Sequence, residues 1–215
     1  MKMHILILGA NGQVGAVLSR LAISRGHSVS GVTRSSTPDF LSGPGTQLIH
    51  GDAYDKNFLT SVASGVDVVV NATRPSPGRE AELVQGSINV AEVCHDLGVR
   101  LVVSGGAGSL PVSDDEGAPR TINTEFVQDA WRDIAVASTN QFDTLMESLP
   151  DSDWTYVAPP ANLIDGPELG NYRLSFSSLV QNQDGVSELS WRDFADLLLN
   201  EIESPSGHRI VTGGY

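Results

Sequence analysis

Three glycines, at positions 9, 12 and 15, are the first residues in the chain whose type and spacing point to chemistry. They follow the apolar run His4-Ile5-Leu6-Ile7-Leu8. They precede apolar residues at helical spacing: Val14, Val17, Leu18, Leu21 and Ala22. The pattern predicts a buried strand that turns tightly into a helix. In such a turn Gly9 permits the bend, Gly12 lets a pyrophosphate approach the backbone, and Gly15 lets the helix pack close to the strand. The amino end of the helix, from Asn11 through Gln13 and Val14, then offers N–H groups to phosphate. This predicts a dinucleotide contacted by Gly9, Asn11, Gly12, Gln13 and Val14. The plainer alternative is a glycine-rich strand–helix turn with no ligand.

The end of the second strand bears on which dinucleotide. A carboxylate there bonds the ribose 2′-hydroxyl of NAD. Here it reads Thr33-Arg34-Ser35-Ser36, with no carboxylate before Asp39. Arginine offers a fork of donors suited to phosphate, and the serines add hydroxyls. Arg34 and Ser35 therefore predict NADP(H) in preference to NAD(H); a solvated loop arginine is the alternative. Gly51-Asp52-Ala53 follows the third strand, where the chain passes the adenine, and Asp52 can accept from its amino group. Asn71-Ala72-Thr73-Arg74 ends the fourth strand beside the riboses, and Arg74 is either a second phosphate ligand or a stem covering apolar surface. Ser104 is the hydroxyl at the strand end nearest the nicotinamide. It either bonds an acceptor carbonyl, which makes it the one catalytic candidate, or satisfies loop backbone.

Other chemistries find little support. Alcohol oxidation with a Tyr-x-x-x-Lys pair needs a lysine four residues after a tyrosine. Phe58, Pro160 and Phe176 stand at that spacing from Tyr54, Tyr156 and Tyr172, and Tyr215 ends the sequence. The only lysines are Lys2 and Lys56. Hydride transfer to a flavin or quinone needs no such pair: the ring delocalises the arriving charge and water delivers the proton. The five histidines show no metal-ligand spacing, Asp114-Asp115-Glu116 reads as a solvated loop, and no metal site is expected. Neither a GxSxG elbow nor a P-loop occurs. Cys94, the single cysteine, lies on an apolar helical face with Leu83, Ile88 and Ala91 and reads as a core thiol.

The elements that must position these residues alternate along the chain. Strands are expected at His4–Leu8, Ser28–Thr33, Gln47–His50, Asp67–Ala72, Arg100–Ser104 and Asp153–Ala158. Helices are expected after Gly12, from Asp55 to Ala63, from Glu80 to Leu97 and across Thr124–Leu149. This predicts the α/β class: a Rossmann-type doubly wound parallel sheet in one domain spanning 1–215. Residues 161–215 read differently. Short extended pieces at Tyr172–Phe176 and Leu179–Gln181, a helix Trp191–Ile202 capped by Ser190 and a strand Arg209–Thr212 are expected to supply a small C-terminal cap over the strand ends. The 215 residues are 40% hydrophobic and 18% charged, an ordinary globular composition. A net charge of -13 argues against nucleic-acid and anionic membrane partners. No stretch has the length of a membrane span and no signal peptide is apparent, so a cytoplasmic monomer or small homo-oligomer is expected.

The chain resembles the atypical short-chain dehydrogenase/reductase proteins with an NAD(P)H-binding, NmrA-like domain. Within them it is most similar to bacterial NADH-flavin reductases and, more distantly, to flavin/biliverdin reductase. The markers are Gly9-Ala10-Asn11-Gly12-Gln13-Val14-Gly15, Thr33-Arg34, Gly51-Asp52, Thr73-Arg74, the run Ser104 to Leu110, Asp153-Trp154-Thr155 and Gly170 to Leu174. The resemblance implies that Arg34 and Arg74 approach a 2′-phosphate, and that Pro159 and Pro160 lie near the nicotinamide. It implies an NAD(P)H-dependent reductase of a flavin, quinone or similar planar acceptor. It equally admits a non-catalytic NADP(H)-binding redox sensor. The chain departs from the family at Asn11, where threonine is usual, and at Gly105 and Gly106, which align with hydroxyl residues of flavin/biliverdin reductase. A histidine on the following helix of that enzyme has no match here.

Overall fold

The computed structural model describes residues 1–34 and 39–215. In chain order the elements are β1 (His4–Leu8), α1 (Gln13–Ser24), β2 (Ser28–Thr33), β3 (Thr46–His50), α2 (Lys56–Ala63), β4 (Val68–Asn71), α3 (Glu82–Leu97) and β5 (Arg100–Ser104). Then come α4 (Arg132–Ser148), β6 (Trp154–Ala158), β7 (Asn162–Ile164), β8 (Arg173–Ser175), β9 (Glu188–Ser190), α5 (Trp191–Glu203) and β10 (Ile210–Gly214).

Among the described residues eight strands form one sheet in the order β3-β2-β1-β4-β5-β6-β10-β8. All neighbours pair in parallel except β8, which closes the edge antiparallel to β10. The strand order reverses between β1 and β4, and that crevice is where open α/β sheets bind ligands. Successive strand residues face opposite sides. Leu6 and Leu8 of β1 enter a core with Val90, Cys94 and Leu145 of α3 and α4. Ile5 and Ile7 enter a second core with Leu18, Ala22, Phe194 and Leu198 of α1 and α5. Each of these four β1 side chains is fully buried, which stabilises the fold by about 1.5–3 kcal/mol apiece. The expected doubly wound sheet is therefore present, with both faces of its central strand covered.

Local signals explain the element ends. The Asp55 carboxylate accepts from Phe58 N at 3.0 Å and starts α2. Gly98 ends α3 at φ 65°, a conformation open to glycine. Two expectations fail. Helical spacing from Thr124 yields α4 only from Arg132. Before it the chain makes isolated one-turn segments, because Thr121 N donates to the carbonyl of Leu110 and the Thr124 hydroxyl donates to that of Thr121; such local bonds compete with helix. Leu179–Gln181 joins no ladder either. Leu179 N donates to the Pro111 carbonyl and the Gln181 side-chain amide to that of Val112. The 161–215 segment divides its work. α5 packs on α1, β10 and β8 extend the main sheet, and the β7–β9 pair stands apart beside the strand ends.

Candidate functional site

The carboxyl ends of β1 to β6 open into a cleft of about 840 Å³. At one end it continues into a pocket of about 90 Å³ between Thr33, Arg34, Asp52, Tyr54, Thr73 and Arg74. Four of these six, Arg34, Asp52, Thr73 and Arg74, are among the contacts expected from the sequence. Ala53 and Gly9 line the same pocket, and Ser35 lies outside the described residues. Asp52 Oδ1 accepts from Tyr54 N at 3.0 Å, a local turn that leaves the carboxylate exposed. Tyr54 had drawn attention only for lacking a lysine partner. Its phenol donates to Thr73 Oγ1 at 2.7 Å, and Thr73 donates to the buried Asn71 Oδ1 at 2.6 Å. Burial pushes the Tyr54 phenol above its ordinary pKa, so it stays neutral here. Arg34 and Arg74 are both exposed. The Arg74 guanidinium lies over the Trp131 ring, 5.1 Å from its centroid, so its stem is not simply covering apolar core.

The glycine turn forms the floor between the two parts. Gly9 N and Ala10 N both donate to the Val32 carbonyl, which locks the turn to β2. Gly9 has φ 80°, and a Cβ on it would lie 2.7 Å from the Ala72 carbonyl oxygen. A Cβ on Gly15 would lie 2.3 Å from the Gly9 carbonyl oxygen, so α1 reaches the turn only as glycine. Gly12 is looser, at 3.1 Å from the same oxygen, and is exposed to the cleft. No side chain caps α1, so the N–H groups of its first turn remain for an anion. A cradle that any Cβ would fill, leading to an uncapped helix, fits a pyrophosphate. Asn11, Gln13, Val14 and Ala72 line the cleft around it.

Farther along, Ser104 and Pro159 line the cleft at the ends of β5 and β6. The Ser104 hydroxyl has no hydrogen-bond partner among the described residues, so it does not serve to tie down the loop. That task falls to Tyr156. Its buried phenol oxygen accepts from Gly106 N at 2.8 Å and donates to the Ser138 carbonyl at 2.9 Å. Burial drives its pKa far above the ordinary tyrosine value, which removes it from acid–base work. A Cβ on Gly105 would fall 1.9 Å from the Tyr156 ring, and one on Gly106 would fall 2.2 Å from Ser138 Oγ. Gly105 therefore has no room for a side chain beside the Tyr156 ring, and a side chain at 106 would have to displace the Ser138 hydroxyl.

The walls facing the glycine turn went unread in the sequence. Phe126, Val127 and Trp131 come from the segment before α4, and Leu163, Val186 and Trp191 from around β7, β9 and α5. Helical periodicity had absorbed Phe126 into a helix, and no local motif marks the rest. Gln141, 2% exposed, reaches the cleft from α4. It bonds Ser87 at 2.6 Å, and Ser87 in turn accepts from Asn71 at 3.2 Å. Lys56 pairs with Glu92 on the outer surface, away from the cleft. Cys94 is buried and pushed up to about 12 by burial, as a core thiol should be.

The family model described as NAD(P)H-binding matches residues 9–205, from the first glycine of the turn to the end of α5. The chain belongs to that family. Among relatives of this NAD(P)H-binding protein is the uncharacterized protein YwnB of Bacillus subtilis, 28% identical over 208 residues that span 94% of this chain and 93% of YwnB. A crystal structure from Bacteroides thetaiotaomicron, described as a candidate epimerase, superposes with a TM-score of 0.90 at 25% identity, covering 100% of this chain and 98% of that one. One from Streptococcus pneumoniae, described as a candidate NADH-flavin reductase, superposes with a TM-score of 0.85 at 26% identity, covering 99% of each. No helix among the described residues is long and apolar enough to cross a membrane.

Proposed function

We propose that this NAD(P)H-binding protein is a reductase that uses NADP(H) in preference to NAD(H) and passes hydride to a planar acceptor, a flavin or a quinone. The observation that carries the reading is the continuity of one cleft. Two arginines and no β2 carboxylate stand at one end, the glycine cradle lies between, and an open chamber with aromatic walls adjoins Ser104 and Pro159. Arg34 and Arg74 hold the 2′-phosphate as charged donors. Gly12 and the first turn of α1 hold the pyrophosphate. Ala72 and Thr73 flank the riboses, Asp52 and Ala53 the adenine, and Pro159 the nicotinamide. When bound, the dinucleotide supplies a hydride. Ser104 donates a hydrogen bond to a carbonyl of the acceptor, and water supplies the accompanying proton. The Streptococcus pneumoniae neighbour supports this acceptor class by its description. Against an epimerase, the cleft lining contains neither lysine, and the one fully buried tyrosine near it is committed to the β5 loop.

The test is a titration of NADPH and NADH against wild type and Arg34→Ala, followed by NADPH oxidation with flavins and quinones. NADPH affinity should fall roughly ten- to hundredfold in the variant, the loss of a charge-assisted contact, with NADH little changed. Equal wild-type affinities reject the NADP(H) preference. Tight binding without turnover of any flavin or quinone rejects the reductase and leaves a nucleotide-binding sensor.

A further inference from the structure

The charges in the cleft are unevenly placed. Its cationic lining residues are Arg34 and Arg74, and both also line the small pocket beside Asp52. The undescribed stretch 35–38 reads Ser-Ser-Thr-Pro and adds no charge. Beyond the glycine turn the described walls offer aromatic and aliphatic faces, with neutral hydrogen-bonding groups from Gln128, Asn162 and Ser187. One charged side chain lies among them, the exposed carboxylate of Glu125. The arginines next in sequence to this lining point elsewhere. Arg120 forms a two-pronged pair with Asp143 at 2.7 Å. Arg192 donates to the Gly166 carbonyl, and Arg132 faces Asp129 at 3.8 Å. The whole chain carries a net charge of -13. Among the described residues the one cation that borders the chamber is Arg74, over the Trp131 ring, and in the proposed reductase it is committed to the 2′-phosphate. With that arginine engaged, an acceptor bearing a phosphate, sulfonate or carboxylate would meet no further countercharge among the described walls and would enter against the field of the protein.

We propose that the acceptor is an uncharged planar ring, a neutral quinone or a flavin lacking its phosphate, and that anionic acceptors are selected against. This rests on the reductase reading above. The amide and hydroxyl groups of the chamber suit ring carbonyls, and its aromatic faces suit the ring itself. The acceptor gains two electrons and one proton as hydride and a second proton from water. It leaves as the dihydro form while the reduced dinucleotide becomes oxidised.

Riboflavin and FMN separate the two cases because they share a ring and differ by a phosphate. NADPH oxidation is measured with each, and with a neutral naphthoquinone against its ring-sulfonated analogue. At low ionic strength kcat/KM should favour the uncharged member of each pair by roughly tenfold or more, the low end of what a field of one sign does to association. The ratio should shrink between about 0.01 M and about 1 M salt, as the screening length falls from about 30 Å to about 3 Å. Glu125→Gln should lower the riboflavin-to-FMN ratio. If FMN matches or exceeds riboflavin at low salt, or the ratio ignores salt, the inference fails while the reductase reading stands. If NADPH binds but no acceptor is reduced, the reductase reading fails and the inference with it.

Discussion

The two ends of the cleft are built differently. The dinucleotide end is backbone geometry at consecutive strand termini: the Gly9 turn, Arg34 one residue past β2, Asp52 two past β3 and Arg74 three past β4. Parallel pairing of β1 with β2 and β4, and of β2 with β3, brings these termini together, and the Tyr54–Thr73 hydrogen bond adds one side-chain tie between two of them. The acceptor end is held by side chains distant in sequence. Tyr156 ties the Gly106 backbone across 50 residues, Ser187 Oγ ties Ala161 N across 26, and Asp193 ties Leu169 and Gly170. A strand terminus is set by the fold itself, so the cofactor end follows once the sheet forms. The acceptor end depends on separate long-range contacts, and these are free to differ between proteins sharing the fold.

The sharpest way to break this contrast is at the cradle. Gly12→Val should reduce NADPH affinity more than a hundredfold, because the branched side chain occupies the space a pyrophosphate needs. Its Cβ has 3.1 Å to the nearest backbone oxygen, against 2.3 Å at Gly15, so the fold should survive with a small shift. Circular dichroism and a binding titration measure both. A folded variant with wild-type affinity would show that the turn does not cradle phosphate.

At the acceptor end the comparable lever is stability. Asp193, fully buried in the first turn of α5, accepts from Leu169 N, Gly170 N, Ser190 Oγ and the Tyr215 hydroxyl. Burial alone would raise its pKa; these donors outweigh that and hold it below the ordinary carboxylate value. A carboxylate with a depressed folded pKa contributes stability above its unfolded pKa of about 3.9, and loses it as pH falls through the folded value. Asp193→Asn should therefore cost about 1–3 kcal/mol near neutral pH, and the deficit should close in acid. Urea melts from pH 7 downwards check this. A deficit that does not change with pH would mean the ionised form is not what binds the loop.

What was legible in the sequence follows the same division. The strand–turn–helix at Gly9 to Gly15, the Asp55 and Ser190 caps and the stop at Gly98 are local signals, and each stands where expected. All the anticipated cofactor contacts that are described, from Gly9 to Pro159, line the pocket or the cleft. The acceptor walls were not legible. Trp131 reaches Arg74 over 57 residues of sequence, and nothing near either residue announces it. Phe126 sat at helical spacing with Ala130 and Ile134, yet Thr121 and Thr124 spend their bonds on nearby carbonyls and hold the segment in short turns. Periodicity reports which residues are buried; it does not report which carbonyl a threonine will find.

The smallest predicted effect bears on mechanism. Hydride transfer to a ring that delocalises charge should need no indispensable side-chain acid. Ser104 offers a hydroxyl with no partner among the described residues, and the nearest tyrosine, Tyr156, is locked between the Gly106 amide and the Ser138 carbonyl. Ser104→Ala should then lower kcat/KM about tenfold, the worth of one neutral hydrogen bond. An obligate acid would contribute roughly 10²–10⁴-fold and impose a pH limb that the variant would lose. Steady-state rates with riboflavin and a neutral quinone across pH separate the cases. A drop of several thousandfold, or the disappearance of a pH limb in the variant, would make Ser104 a proton donor and would bring the acceptor end closer in kind to an alcohol dehydrogenase. A tenfold drop with an unchanged profile would leave it as a hydrogen bond that orients the ring, with water as the proton source.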